Sequence, residues 1–188
     1  MKQIRIFGIA ALILAALGVI FTPFAMDSGY SWLRNSISET GGQNVTNAWL
    51  GRSTLFLSGT GVLLVTLLKQ RFWNRTATFA MILFGVMWCL TSFFSTKSWM
   101  QGVPFNEAES ITHSVLASAM SIVVLGALAV GIQRSNVSKV DRTLAFLLAC
   151  AATFLPLASL FIPDLAGLFQ RIMFLYTYFW FIREARMA

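Results

Sequence analysis

Charge is what this chain has least of. Charged residues make up 11% of its 188 residues, fewer than half the ~25% of an ordinary soluble domain. There is a single histidine, His113, and there are two cysteines, Cys89 and Cys150. One histidine without any Cys-x-x-Cys spacing cannot assemble a zinc site of the usual kind, so neither a metal nor a cofactor is implied. Each cysteine lies inside an apolar run and reads as a small packing residue. Acids are scarce as well: 7 Asp and Glu against 14 Lys and Arg leave a net charge of +7. The basic residues form short clusters between apolar runs and make no polar basic face, a pattern that argues against a nucleic-acid partner. Residues 1–188 contain no linker, low-complexity tract or recurring motif, so they read as one domain, and an inverted-repeat carrier is disfavoured.

What is abundant is apolar sequence: 57% of residues are hydrophobic and the mean hydropathy is +0.72. Six runs reach or approach the ~20 residues needed to cross a bilayer. They cover residues 5–25, 49–68, 76–95, 111–132, 143–162 and 166–182. The fold class expected is all-α, a polytopic membrane protein built as a compact bundle of six transmembrane helices. The first run has the basic flank of a signal peptide but no small-x-small cleavage site, and reads as a retained helix. Lys2, Arg5, Lys69, Arg71, Arg75, Arg134, Lys139, Arg142, Arg183 and Arg186 fall on one side of such a bundle. Only Arg34, Arg52, Lys97 and Arg171 fall on the other. That asymmetry puts both termini in the cytoplasm.

The outer connections differ in length. Residues 26–48 are long enough to fold back, and Ser36-x-x-Glu39 has capping-box spacing, so a short helix is expected there. The fourth run is rich in small residues from Ser114 to Gly131, which let helix backbones approach closely, and it reads as the central helix. Pro156 interrupts the fifth and predicts a kink. Sequons at Asn44, Asn74 and Asn136 fall on both sides of the bundle and read as chance.

Two helices are short if their arginines stay in water. Arg52 and Lys69 enclose 16 uncharged residues, and Arg171 and Arg183 only 11, so both helices must extend outward past Arg52 and Arg171. An arginine at that depth snorkels or finds an anion. Asp164, seven residues before Arg171 on the same helical face, is one candidate, and Glu39, Glu107 and Glu109 are others. His113 and Glu109 are four apart and share a helix face. These residues predict an outward polar cluster of Glu39, Arg52, Glu109, His113, Asp164 and Arg171. In it, Glu39 and Glu109 orient or deprotonate His113 as a general base, while Arg52 and Arg171, with Asp164 beside them, hold the anionic part of a ligand. Ser38 and Ser114 are imaginable nucleophiles without a Gly-x-Ser-x-Gly turn.

Ile37-Ser38-Glu39 after the first run, His113 opening the fourth and Gly167-x-x-x-Arg171 in the sixth resemble a family of small six-span prokaryotic membrane proteins. It is catalogued as domain of unknown function 998. The resemblance covers nearly the whole chain and implies the six-helix layout and the cytoplasmic membrane of a prokaryote. It picks out Glu39, His113 and Arg171, and implies no activity. Compact lipid hydrolases of the ceramidase type use several histidines for zinc, so that comparison fails here.

The leading expectation is therefore a pocket for a lipid headgroup or small amphipathic anion, with hydrolysis or transfer of that lipid as a possible reaction. Two rivals stand beside it. One is a non-catalytic assembly or regulatory subunit in which the cluster locks loops onto the bundle. The other is a small proton-coupled carrier, which needs ionisable residues continuing through the bilayer.

Overall fold

The computed structural model describes residues 1–132 and 138–187. Residues 133–137, which include Asn136 and half of the expected basic connection at 133–142, lie outside them. Among the described residues the chain is all-helical. It forms α1 (Lys2–Phe21), α2 (Ile37–Thr40), α3 (Ala48–Lys69), α4 (Arg75–Thr91), α5 (Glu107–Ile132), α6 (Lys139–Phe161) and α7 (Ala166–Arg186). Five of these helices are long and apolar enough to cross a membrane, and α4 is a shorter apolar helix. Large apolar side chains such as Phe7, Phe79, Ile122 and Phe154 face outward. That is a cost in water and a gain in lipid, so the chain is a multi-pass membrane protein.

The helix starts follow local chemistry. Ser36 accepts from the Glu39 amide, and the Glu39 carboxylate accepts in return from the Ser36 amide at 2.6 Å, the expected capping box of α2. Asn74 caps α4 and Ser138 caps α6 through their own side-chain oxygens. Pro23 and Pro163 each open a short 3₁₀ turn, Thr22–Ala25 after α1 and Pro163–Leu165 before α7. α3 and α7 both begin before their arginines, four residues ahead of Arg52 and five ahead of Arg171, as the length argument requires. α6 runs continuously through Pro156.

The centre of the bundle is α3, and the expectation that the fourth run occupies it is corrected here. Half of the apolar window of α3 is buried within the protein, against 17% in α5 and in α6. α3 packs against α1, α4, α7 and α2. It meets α4 closely at Gly59, where an added Cβ would lie 2.7 Å from the Gly85 carbonyl and against the Cys89 amide. Among the small residues of α5, Ser114, Ser118 and Gly126 are exposed.

The core runs from Leu12 and Val62 through Trp88 and Phe174 to Phe181. Tyr178 is fully enclosed in it and shares a 2.6 Å hydrogen bond with Ser58 of α3. Both chain ends lie at one end of the bundle, called here the terminal end. There Lys69 Nζ meets Glu184 Oε2 at 3.0 Å with both side chains at most 10% exposed, and Arg183 holds Asp141. Trp73 stacks on Trp180 beside them. The opposite end carries the long connections and is called the loop end.

Candidate functional site

The loop end carries all six candidate site residues. Four of them, Glu39, Glu109, His113 and Arg171, form two brackets that hold chain segments together, and the six do not converge on one cluster. The first bracket docks residues 26–48 onto α7. α7 begins with free amide groups, and those of Gly167 and Leu168 donate to the Arg34 and Leu33 carbonyls at 3.1 and 2.9 Å. Such contact needs a residue without a side chain, because a Cβ on Gly167 would collide with the Asn35 carbonyl. One turn on, Arg171 is 1% exposed. Its Nη1 donates to the Asn35 carbonyl at 2.9 Å and its Nη2 to the Tyr30 hydroxyl at 2.7 Å. Its guanidinium lies 4.7 Å from the centre of the Trp32 ring. Gln170 Oε1 accepts from the Ile37 amide.

Glu39 belongs to the same bracket but does not touch Arg171. Its carboxylate takes the Ser36 amide and the Asn35 side-chain amide, at 2.6 and 3.4 Å, so Asn35 stands between the two charges. The Tyr30 hydroxyl in turn donates to the Ser36 carbonyl at 2.8 Å. Burial pushes the Tyr30 phenol up to about 12, and the nearby Arg171 charge opposes that only in part. On the surface of the same loop, hydrogen bonds from Thr46 hold the Asp27 carboxyl below its ordinary value.

The second bracket holds the exit of α4 against the start of α5. Glu109 Oε1 accepts from the Ser95 amide at 2.6 Å. His113 Nδ1 lies 2.7 Å from the Phe94 carbonyl and 3.2 Å from that of Thr91. Both neighbours are acceptors, so Nδ1 carries the proton and the free ring nitrogen is Nε2. Gln43, in the first loop, ties the brackets together by donating to the Ser95 and Asn106 carbonyls at 2.9 and 3.0 Å.

The expected roles need correcting at several points. Neither Glu39 nor Glu109 hydrogen-bonds His113; carbonyls at the end of α4 orient the ring. Arg52 is exposed, and its Nε donates to the Gly41 carbonyl at 3.1 Å. Asp164 is exposed in its 3₁₀ turn and forms no ion pair with Arg171. Ser114 is exposed and donates to the Ser110 carbonyl. Lining a groove on the outer face of α5, it is not a partner for His113. What the sequence indicated correctly is that Arg171 does not reach out to water.

Beneath α2 lies a cavity of about 260 Å³ enclosed mainly by α4, α5, α6 and α7. Its walls include Ser38, His113 and Gln170, all three from residues at the loop end. Farther from that end the walls are mainly apolar, with Trp88, Phe174, Phe84 and Leu148 among them; Ser118 adds a hydroxyl on the α5 side, and the hydroxyls of Ser121 and Thr177 are turned onto carbonyls of their own helices. Pro156 and Ala152 contribute the α6 wall. Among the described residues, no carboxylate, lysine or arginine lines the cavity. Its volume is just under the usual size of a small-molecule site. Sequence reasoning considered Ser38 only as a nucleophile and gave Gln170 no role of its own. The signal for them was their place beside Glu39 and Arg171 in the two motifs.

No curated protein and no solved structure matches the chain. The motif-bearing segments and the helices that carry them fall within residues 9–185, which match one family from end to end. The chain thus belongs to the family described as protein of unknown function (DUF998).

Proposed function

We propose that this is a six-span protein of a prokaryotic cytoplasmic membrane, with both ends in the cytoplasm, that binds an amphipathic lipid-like molecule in the cavity beneath α2. The 17 residues of α4 give about 25 Å of helix, at the lower limit for a crossing. The ten-to-four distribution of basic residues between the two ends supports the orientation.

One observation carries the binding reading. The cavity has hydrogen-bonding side chains, Ser38, His113 and Gln170 among them, toward the loop end and mainly apolar walls below, which is the polarity of a lipid lying in its leaflet. Ala152 is a suitable probe, since it lines the cavity and is nearly buried. Native mass spectrometry of gently extracted protein is expected to show a bound amphiphile that Ala152→Phe displaces without a fall in melting temperature. An identical adduct pattern in the two proteins would sink the reading.

A second reading, a non-catalytic assembly subunit, is favoured by how the charges are used. Arg52, Glu109 and Arg171 all hold backbone groups of the loops. Under that reading Arg171→Ala loosens a partner complex and Ala152→Phe changes nothing. A proton-coupled carrier has less support. The ionisable clusters stand at opposite ends, and the centre between them holds the neutral Ser58–Tyr178 pair.

A further inference from the structure

We infer that the ligand of this cavity has an uncharged head carrying both a hydroxyl and a carbonyl, the chemistry of a long-chain monoester of glycerol, and that the cavity rejects anionic lipids. This rests on the binding reading above and names the class of molecule bound.

The first argument is what the polar wall still offers once its internal bonds are made. His113 uses Nδ1–H on the Phe94 and Thr91 carbonyls. A second proton on Nε2 would leave a buried cation whose Nδ1 neighbours are carbonyls and which no carboxylate touches. The neutral ring is the stable form, and Nε2 presents a lone pair, which calls for a hydroxyl donor. Gln170 has given its Oε1 to the Ile37 amide, so its remaining polar group is an NH₂, which calls for a carbonyl. Ser38 can serve either role. One acceptor, one donor and one hydroxyl match an ester next to an alcohol.

The second argument is where the charge is. Arg171 is committed to Asn35, Tyr30 and Trp32, Arg52 to Gly41, Glu109 to Ser95 and Glu39 to Ser36. None of these four lines the cavity. An anionic head placed there would lose its hydration with no cation to replace it, whereas a neutral head exchanges water hydrogen bonds for those of the wall. This reverses the anion expected from sequence, because neither of the arginines that suggested it lines the cavity.

The test uses the full-length protein in micelles and three probes with one oleoyl chain each: monooleoylglycerol, oleate and oleoyl lysophosphatidate. Retention is read by native mass spectrometry over a ligand titration. Monooleoylglycerol is expected to bind at least about tenfold tighter than either anion, and Ala152→Phe to abolish that binding. His113→Asn keeps a donor toward the Phe94 carbonyl but removes the acceptor at Nε2, and is expected to weaken monooleoylglycerol about tenfold. Ser38→Ala, whose side chain holds no part of the fold together, serves as a second variant and is expected to weaken it severalfold. If oleate or lysophosphatidate binds as tightly as the glycerol ester and Ala152→Phe removes it, the neutral-head inference is overturned and the binding reading survives. If no probe responds to Ala152→Phe, the binding reading itself falls. Unchanged affinity in both His113→Asn and Ser38→Ala likewise overturns the inference.

Discussion

Arg171 and Asn35, 136 residues apart in the chain, are joined by a 2.9 Å hydrogen bond from a guanidinium to a backbone carbonyl. That bond explains how a charge that the sequence places below the membrane surface is accommodated. Its partners are carbonyl, phenol and indole, and the nearest acid, Glu39, is one residue removed. Each charge-assisted hydrogen bond contributes ~1.5–3 kcal/mol, offset by the cost of desolvating the guanidinium. Arg171→Ala is expected to lower stability by about 2–4 kcal/mol. Arg171→Lys should recover only part of that, because an ammonium cannot hold both acceptors and lie over Trp32. Thermal melts in detergent measure this, and a melt of Arg171→Ala superimposable on wild type would contradict it.

Gly167→Ala places a methyl group against the Asn35 carbonyl and 2.7 Å from Arg171 Nη1. Backbone cannot yield there without undocking the loop, so a loss of about 1–3 kcal/mol is expected, the usual cost of overpacking. Limited proteolysis should show faster cleavage within residues 26–48, with the helices still protected. Unaltered cleavage would show that the loop does not depend on this close approach.

The Tyr30 phenol makes stability fall at alkaline pH. Below pH 10 the folded and unfolded chains both keep this proton, and the contribution is intact. Between pH 10 and about 12 the unfolded tyrosine has lost it while the buried one retains it, so stability decreases as pH rises. The loss attributable to this group is about 2–3 kcal/mol. Tyr30→Phe should start less stable at pH 8, without the bonds to Ser36 and Arg171, and then fall less steeply above pH 10. Parallel curves for the two proteins would exclude Tyr30 as the titrating group.

At the terminal end Lys69 and Glu184 form a pair of buried opposite charges. Lys69→Met leaves Glu184 buried without its cation, a change of ~3–5 kcal/mol. The double variant Lys69→Met with Glu184→Leu removes both charges and is expected to recover most of that loss. Chemical or thermal unfolding of the two single variants and the double variant gives the coupling directly, and simple additivity would show that the pair is not coupled.

Much of this was legible in the chain. The apolar runs located the helices to within a few residues, since ~20 apolar residues in lipid have little choice but to satisfy their own backbone as helix. Ser36-x-x-Glu39 specified its capping box because both partners lie within one turn. The spacing from Arg171 to Arg183 required α7 to extend past Arg171.

The partner of each charge was settled only by tertiary structure. Sequence reading can match a cation with an acid, but every residue carries a carbonyl and an amide, and nothing in a side-chain pattern marks which of them are left free at a helix end. Arg171, Glu109 and His113 all found such groups. The central helix was decided in the same way: α5 has the many small residues, while α3 has Gly59 at the place where two backbones meet. So the amino-acid order determined the helices and the depth of the arginines, through lipid solvation acting along the chain. Folding decided that those arginines close loops and leave the cavity uncharged, because that outcome depends on which backbone atoms come into reach.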